Sequence, residues 1–256
     1  MQNDLVSIIM PSHNNGQYVV ETIRSVQAQT YQNWEIVFVD DASTDNTEEI
    51  VKALGEPRIR YFKNDTNRGA AHSRNKALRE AKGRWIAFFD SDDLWEPEKL
   101  EHQIRFMEDH DYHFSYHDYI EIDFEGNERG RRISGKKHVN KFDMYACCWP
   151  GCLTVMYDAK VMGVIQIEEI AKNNDVAIWL KAIKKADCHL LKESLGRYRR
   201  RWGTVAPRKL NKKIQWYYRL FRENEKMSPL QASYWIFMNM VMQTIKKLFY
   251  IKRYTV

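Results

Sequence analysis

Short unbroken apolar runs alternate with stretches of helical spacing along the first hundred residues, and the runs stop at polar or acidic clusters. The run VSIIM at 6–10, closed by Pro11 and a polar loop over 12–16, predicts a strand. Val19, Val20, Ile23, Val26 and Ala28 follow at helical intervals and predict a helix over 18–29, with Asn14 or Asn15 as its N-cap. A second strand is expected over 34–39. It runs into Asp40 and Asp41, after which Ser43, Thr44 and Asp45 offer caps to a helix carrying Ile50, Val51 and Leu54. A third strand is expected over 59–63, then a polar loop with Gly69, and a helix over 70–81 that Gly83 closes. The fourth strand, WIAFF at 85–89, opens onto Asp90, Asp92 and Asp93, and Pro97 starts the next helix. Strict alternation of strand and helix implies right-handed crossovers and a parallel sheet, hence an α/β fold.

Past residue 110 the pattern loosens. Residues 114–124 and 131–139, joined across Glu125-Gly126-Asn127, predict a β-hairpin. GRRISGKK at 130–137 has the spacing of a phosphate loop, but Lys137 stands where the metal-binding Ser or Thr belongs, so it is rejected. A helix is expected after Asn173 and Asn174, with Val176, Ile178, Trp179, Leu180 and Ile183 on its apolar side. The uncharged stretch 230–245 is shorter than the ~20 residues a membrane span needs. Tyr234, Trp235 and Phe237 with following lysines suit a helix lying in a membrane interface; a helix packed on the domain or in a homodimer is the other reading.

Charge sharpens that division. Residues 1–196 hold 25 Lys+Arg against 32 Asp+Glu, while residues 197–256 hold 15 against 2. A basic end of this kind meets something anionic: phosphates, a lipid surface or nucleic acid. The length suits one α/β domain with an appendage. Cys147, Cys148, Cys152 and Cys188 lack paired C-x-x-C spacing, and the first residues lack a signal peptide's charged and apolar regions, which points to a reduced, cytoplasmic setting.

In a parallel sheet the loops after strands one, two and four leave at one edge, so Pro11, His13, Asp41 and the acids at 90–93 converge. A nucleotide needs acceptors for its base imide and ribose hydroxyls and a cation for its phosphates. No G-x-G-x-x-G follows the first strand, which argues against a dinucleotide. The acids at 90–93 are either such a cation site or a solvated turn capping the next helix.

The order SIIMPSHNNGQYVVETIRSVQAQTYQNWEIVFVDDASTDNT, then NRGAAHSRNKALREAKGRWIAFFDSDDLW, resembles the family 2 glycosyltransferases over roughly the first 110 residues. The resemblance implies a GT-A fold, a mostly parallel, Rossmann-like sheet flanked by helices. It also implies inverting transfer of a sugar from a nucleoside diphosphate donor, a UDP-sugar first, helped by Mn²⁺ or Mg²⁺. The nucleotide would then be held by Pro11, His13, Asp40, Asp41, Arg68, Arg74, Asp90, Ser91 and Asp92, and the metal by Asp92 or Asp93. Family members carry an acid pair at the helix expected after residue 173, and its second member is the catalytic base. Here the pair reads Asn174-Asp175, so Asp175 matches the base and the first acid is missing. On residues alone, Asp175 is equally a helix-dipole charge, and Glu168-Glu169 is an alternative acid pair. WPGCLTV at 149–155 resembles the family's acceptor-side loop.

Eight basic residues and no acid lie within 197–213. Arg199, Arg200 and Arg201 suit a flap on the donor diphosphate, and a solubilising or lipid-facing surface is the equal alternative. The expected organisation is a transferase domain over 1–205, with a nucleotide half at 1–110 and an acceptor half at 111–205, and a basic helical tail at 206–256. The acceptor would be a saccharide, lipid-linked or part of a growing cell-surface polysaccharide. The protein would sit peripherally on the inner face of the plasma membrane. Two other functions stand beside this one: a nucleotidyltransferase, although SHNNGQY lacks that class's glycine-rich basic loop, and an anionic-lipid-binding module. No nucleic-acid motif is evident.

Overall fold

The computed structural model describes residues 2–168, 170, 172–200 and 210–256. β1 (Gln2–Ser12), α1 (Gly16–Gln27), β2 (Trp34–Asp40), α2 (Thr47–Ala53), β3 (Ile59–Lys63), α3 (Ala70–Glu80) and β4 (Gly83–Phe88) alternate as the hydrophobic pattern predicts. β1 pairs in parallel with both β2 and β4, and β2 with β3. The period-two register of the strands sorts their side chains. Val6, Ile8, Met10, Ile36, Phe38, Trp85 and Ala87 pack on one face against Val19, Ile23 and Val26 of α1. Ile9, Val37, Val39, Ile86 and Phe88 pack on the other against Ala77 and Leu78 of α3.

Two local expectations are corrected, and the expected N-cap Asn15 is in place. Gly83 does not close α3; it begins β4, where a Cβ would lie 2.4 Å from the Leu5 carbonyl oxygen, so the close approach of β4 to β1 requires glycine. Pro97 does not begin a helix directly after the acids. A short strand, β5 (Leu94–Trp95), intervenes, and α4 (Lys99–Asp109) starts two residues after the proline. Asn15 occupies the N-cap position of α1 without a side-chain cap bond, because its Nδ2 donates to Ser91 Oγ at 2.6 Å.

β6 (Phe114–Ile122) and β7 (Glu128–Ile133) form the expected antiparallel hairpin, its turn fixed by Asp123 Oδ1, which accepts from the Glu125 and Asn127 N–H groups. The expected second arm divides, and β8 (His138–Val139) stands apart. There follow α5 (Lys141–Ala146), a 3₁₀ turn at Cys152–Thr154, β9 (Met156–Asp158), α6 (Ala159–Met162), α7 (Asn174–Ala182) and β10 (Cys188–Arg199). β9 runs antiparallel between β4 and β6, and β10 pairs in parallel with β6 and antiparallel with β5 and β8.

The C-terminal region comprises α8 (Leu210–Arg219), a π-helical turn at Leu220–Asn224, α9 (Pro229–Phe249) and β11 (Ile251–Arg253). A capping box between Ser228 and Gln231, with Pro229 at the first helical position, starts α9. Tyr217, Leu220, Phe221, Ala232 and Ile236 are buried in the same core as Trp179 of α7. β11 pairs antiparallel with β7 and makes the edge of the sheet β11-β7-β6-β9-β4-β1-β2-β3. The segment expected as a tail is therefore tied into the domain. Among the described residues no helix is long and apolar enough to cross a membrane.

Candidate active site

The carboxyl ends of β1, β2 and β4 and the N-terminus of α7 surround a cavity of about 700 Å³. Pro11, His13, Asp41, Arg74, Asp90, Ser91, Asp92, Asp175 and Arg199, all expected site residues, line it.

Asp41 closes one end. Its Oδ1 accepts from Asn64 Nδ2 at 2.8 Å and the Arg68 N–H at 3.0 Å, and its Oδ2 from the Gly69 N–H at 2.7 Å. Burial raises its pKa, but the Arg68 N–H, Asn64, the Gly69 N–H and Ser73 outweigh that and hold it below the usual carboxylate range. Asp41 is thus a fixed anion that shapes the loop before α3. Arg68 takes part through its peptide N–H. Asp40, one residue earlier in an extended strand, points elsewhere: its Oδ1 accepts from the Ser43 N–H and its Oδ2 from the Tyr61 hydroxyl. His13 Nδ1 lies 2.9 Å from the Asp41 carbonyl oxygen. Asn14, Ala42 and Asn173, in the loops at the rim, all have left-handed backbone, which non-glycine residues adopt mainly where surrounding structure enforces it.

The acidic turn after β4 divides its labour. Ser91 is buried and staples the turn to the β1 loop, donating to Ser12 Oγ at 3.0 Å. Asp90 and Asp92 face the cavity, whereas Asp93 is buried behind them, its Oδ1 accepting from the Arg199 N–H at 2.9 Å and its Oδ2 without a partner among the described residues. Burial, then repulsion from Asp92 and Asp90, pushes Asp93 well above the usual carboxylate range. Among the described residues no three His, Cys, Asp or Glu side chains converge into an all-protein cage. The pair Asp90 and Asp92 fits a divalent ion of the kind that one or two carboxylates share with substrate phosphates.

Arg199 holds this turn from behind. Its guanidinium donates to the Asp92 carbonyl at 2.8 Å and the Phe124 carbonyl at 3.2 Å and pairs with Glu21 at 2.6 Å, with 1% of the side chain exposed. Arg200 pairs with Glu121 at 3.0 Å, outside the cavity. Arg201 and Glu169 lie outside the described residues.

Opposite the acids, α7 presents Asp175 in its first turn. Burial raises its carboxyl above the usual range, with Arg74 pulling against it and Asp90 adding to the rise. Arg74 is buried at the floor, where its guanidinium donates to both Asp90 and Asn174. The position where the acid pair is incomplete therefore anchors the arginine that joins the two sides. Glu168, the alternative acid, is spent on Lys181 at 3.3 Å.

Sequence reasoning missed Asn67, Ser73, Lys172, Tyr198 and Trp216, which also line the cavity. Tyr198 sits within the basic run, and its alternation with Arg199 in β10 was the available signal. Trp216 comes from α8, in the expected tail, and nothing local distinguishes it from a core aromatic.

The Glycosyl transferase family 2 model matches residues 7–162. The chain belongs to that family. This glycosyltransferase is 35% identical over 247 residues, 95% of its own length and 97% of the other, to TuaG of Bacillus subtilis (strain 168), named for teichuronic acid biosynthesis. It is 39% identical over 184 residues to WfgD of Escherichia coli, a UDP-Glc:α-D-GlcNAc-diphosphoundecaprenol β-1,3-glucosyltransferase, covering 72% of each chain. Among solved structures, residues 1–349 of S. aureus TarS in complex with UDP-GlcNAc superpose with a TM-score of 0.70 at 20% identity, covering 92% of this chain and 71% of that one, which establishes the shared fold.

Proposed function

We propose that this glycosyltransferase moves a sugar, with inversion, from a UDP-sugar to a hydroxyl of a saccharide carried on a polyprenyl diphosphate, in the assembly of a cell-surface polysaccharide. The observation that carries the reading is one cavity lined by Asp41, Asp90, Asp92 and Asp175 together. Asp41 would receive the base and Asp90 the ribose, and Asp92 would hold a divalent ion. When bound, Mn²⁺ or Mg²⁺ supplies charge compensation for the departing diphosphate. Asp175 accepts the acceptor hydroxyl's proton on the face away from the leaving group, as a single displacement requires. The rise imposed by its burial makes it a stronger base than an exposed aspartate. Family membership favours transfer of a sugar over transfer of a nucleotide, and the E. coli relative's name supplies the acceptor class.

The protein works at the inner face of the plasma membrane. α9 presents Leu230, Tyr234, Phe237, Val241 and Leu248 to solvent, spaced along one helical face. Lys247, Lys252 and Arg253 flank this stripe, the composition of a helix resting on anionic lipid.

Transfer of label from UDP-[¹⁴C]glucose to a GlcNAc-diphospholipid tests the base. Asp175→Asn should lose about 10²–10⁴-fold in turnover with UDP affinity kept. In the wild type, kcat should fall with acid along a limb centred above the ordinary aspartate pKa of about 4. Normal turnover in Asp175→Asn would remove Asp175 from the mechanism.

A further inference from the structure

A second cavity, of about 240 Å³, lies between α8 and α9. α8 supplies Lys213, Ile214 and Tyr217, neighbours on one helical face, and α9 supplies Ile236, Asn239 and Lys247. The helices run antiparallel across it, since Lys213 lies near Lys246 and Lys247 while Tyr217 lies beside Asn239. The groove therefore has a cationic mouth and a largely apolar inner end.

The unpaired charge at one end marks it as a binding site rather than a packing defect. Lys213 is half-buried and lies near the exposed Lys247, and no acid pairs with either among the described residues, so an anion would relieve the desolvation of Lys213 and the repulsion between the two. Lys246, the third cation, is occupied by the Cys148 and Trp149 carbonyls at 2.9 and 2.8 Å. Asn239 is 3% exposed and lines the groove beside Tyr217. Past the apolar wall, the exposed face of the same helix carries Phe237, Val241 and Leu248, so a hydrocarbon chain leaving the groove meets further apolar surface.

We infer that this groove binds the polyprenyl diphosphate of the lipid-linked acceptor, with the diphosphate at Lys213 and Lys247 and the first isoprene units along Ile214 and Ile236. The inference rests on the transferase reading above and specifies where its acceptor is gripped. Lys213 and Trp216 are i and i+3 neighbours on α8, and Trp216 lines the donor cavity, with Lys172 Nζ 5.7 Å from its ring centre. A sugar attached to a diphosphate at the groove mouth is thereby carried over Trp216 towards Asp175.

Farnesyl diphosphate is a soluble probe for the full chain, titrated with saturating UDP and Mn²⁺ present. It should bind, and Lys213→Ala combined with Lys247→Ala should weaken it at least tenfold while UDP affinity stays unchanged. Asn239→Trp, which fills the inner end, should weaken it in protein shown by circular dichroism to be folded. Equal affinity in the double lysine variant, or equal binding of inorganic diphosphate, would each overturn the groove assignment. Failure of UDP to bind the wild type would instead strike the donor-site reading, so the two failures are distinguishable.

Discussion

Two aspartates lining one cavity are tuned in opposite directions by what surrounds them. Asp41 is buried yet held low by four donors, whereas Asp175, with fewer donors, is held high by burial. The first suits a permanent anchor for a polar ligand and the second a group that must gain and lose a proton. A third buried group belongs to neither role. Lys99 is fully buried, its Nζ has no hydrogen-bond partner among the described residues, and it meets the Trp95 ring at 3.9 Å. Burial lowers its pKa well below the ordinary lysine value. The folded state then binds fewer protons than the unfolded state below about pH 10, so stability rises with pH through that window and falls as pH drops. Lys99→Met should raise the melting temperature at pH 7 and lose its advantage towards pH 10, checked by thermal melts across the range. An offset that does not change with pH would contradict this account.

At the scale of elements, α9 faces two ways, and each face makes a prediction. Ile236 is 8% exposed and packed in the core, so Ile236→Ala should cost about 2–4 kcal/mol in denaturant unfolding. Tyr234→Ser with Phe237→Ser and Leu248→Ser, all on the solvent face, should leave unfolding nearly unchanged while weakening sedimentation with anionic vesicles several-fold; unchanged sedimentation would remove α9 from the membrane contact. Sequence spacing reads the first half of the chain well because strands β1, β2 and β4 are apolar on both faces and each stops at a polar turn. Gly83 misleads because a glycine after a helix reads equally as a helix stop and as a close strand contact. The C-terminal region misleads more, because charge dominates its composition while Tyr217, Phe221 and Ile236 carry its packing over long sequence distances. For the same reason Arg199 reads as a phosphate ligand. Only its partners Glu21, Asp92 and Phe124, remote in sequence, identify it as the clamp behind the acidic turn.

For the molecule as a whole, the acidic first part of the chain forms most of the first cavity, and the basic last sixty residues add Tyr198, Arg199 and Trp216 to it along with α9 and β11. α8 lines both cavities, through Trp216 on one side and Lys213 and Tyr217 on the other. Under the proposed function, that geometry would give a water-borne nucleotide sugar and a membrane-borne acceptor separate approaches to Asp175. The claim on which the rest depends is that the first cavity is a nucleotide site whose metal contact runs through Asp92. Calorimetric titration of the full chain with UDP, with and without Mn²⁺, and of Asp92→Asn under the same conditions, tests it most directly. The account predicts binding that tightens at least tenfold with Mn²⁺ in the wild type and loses that gain in Asp92→Asn. No UDP binding by folded protein, or the same metal-dependent gain in the variant, would contradict it.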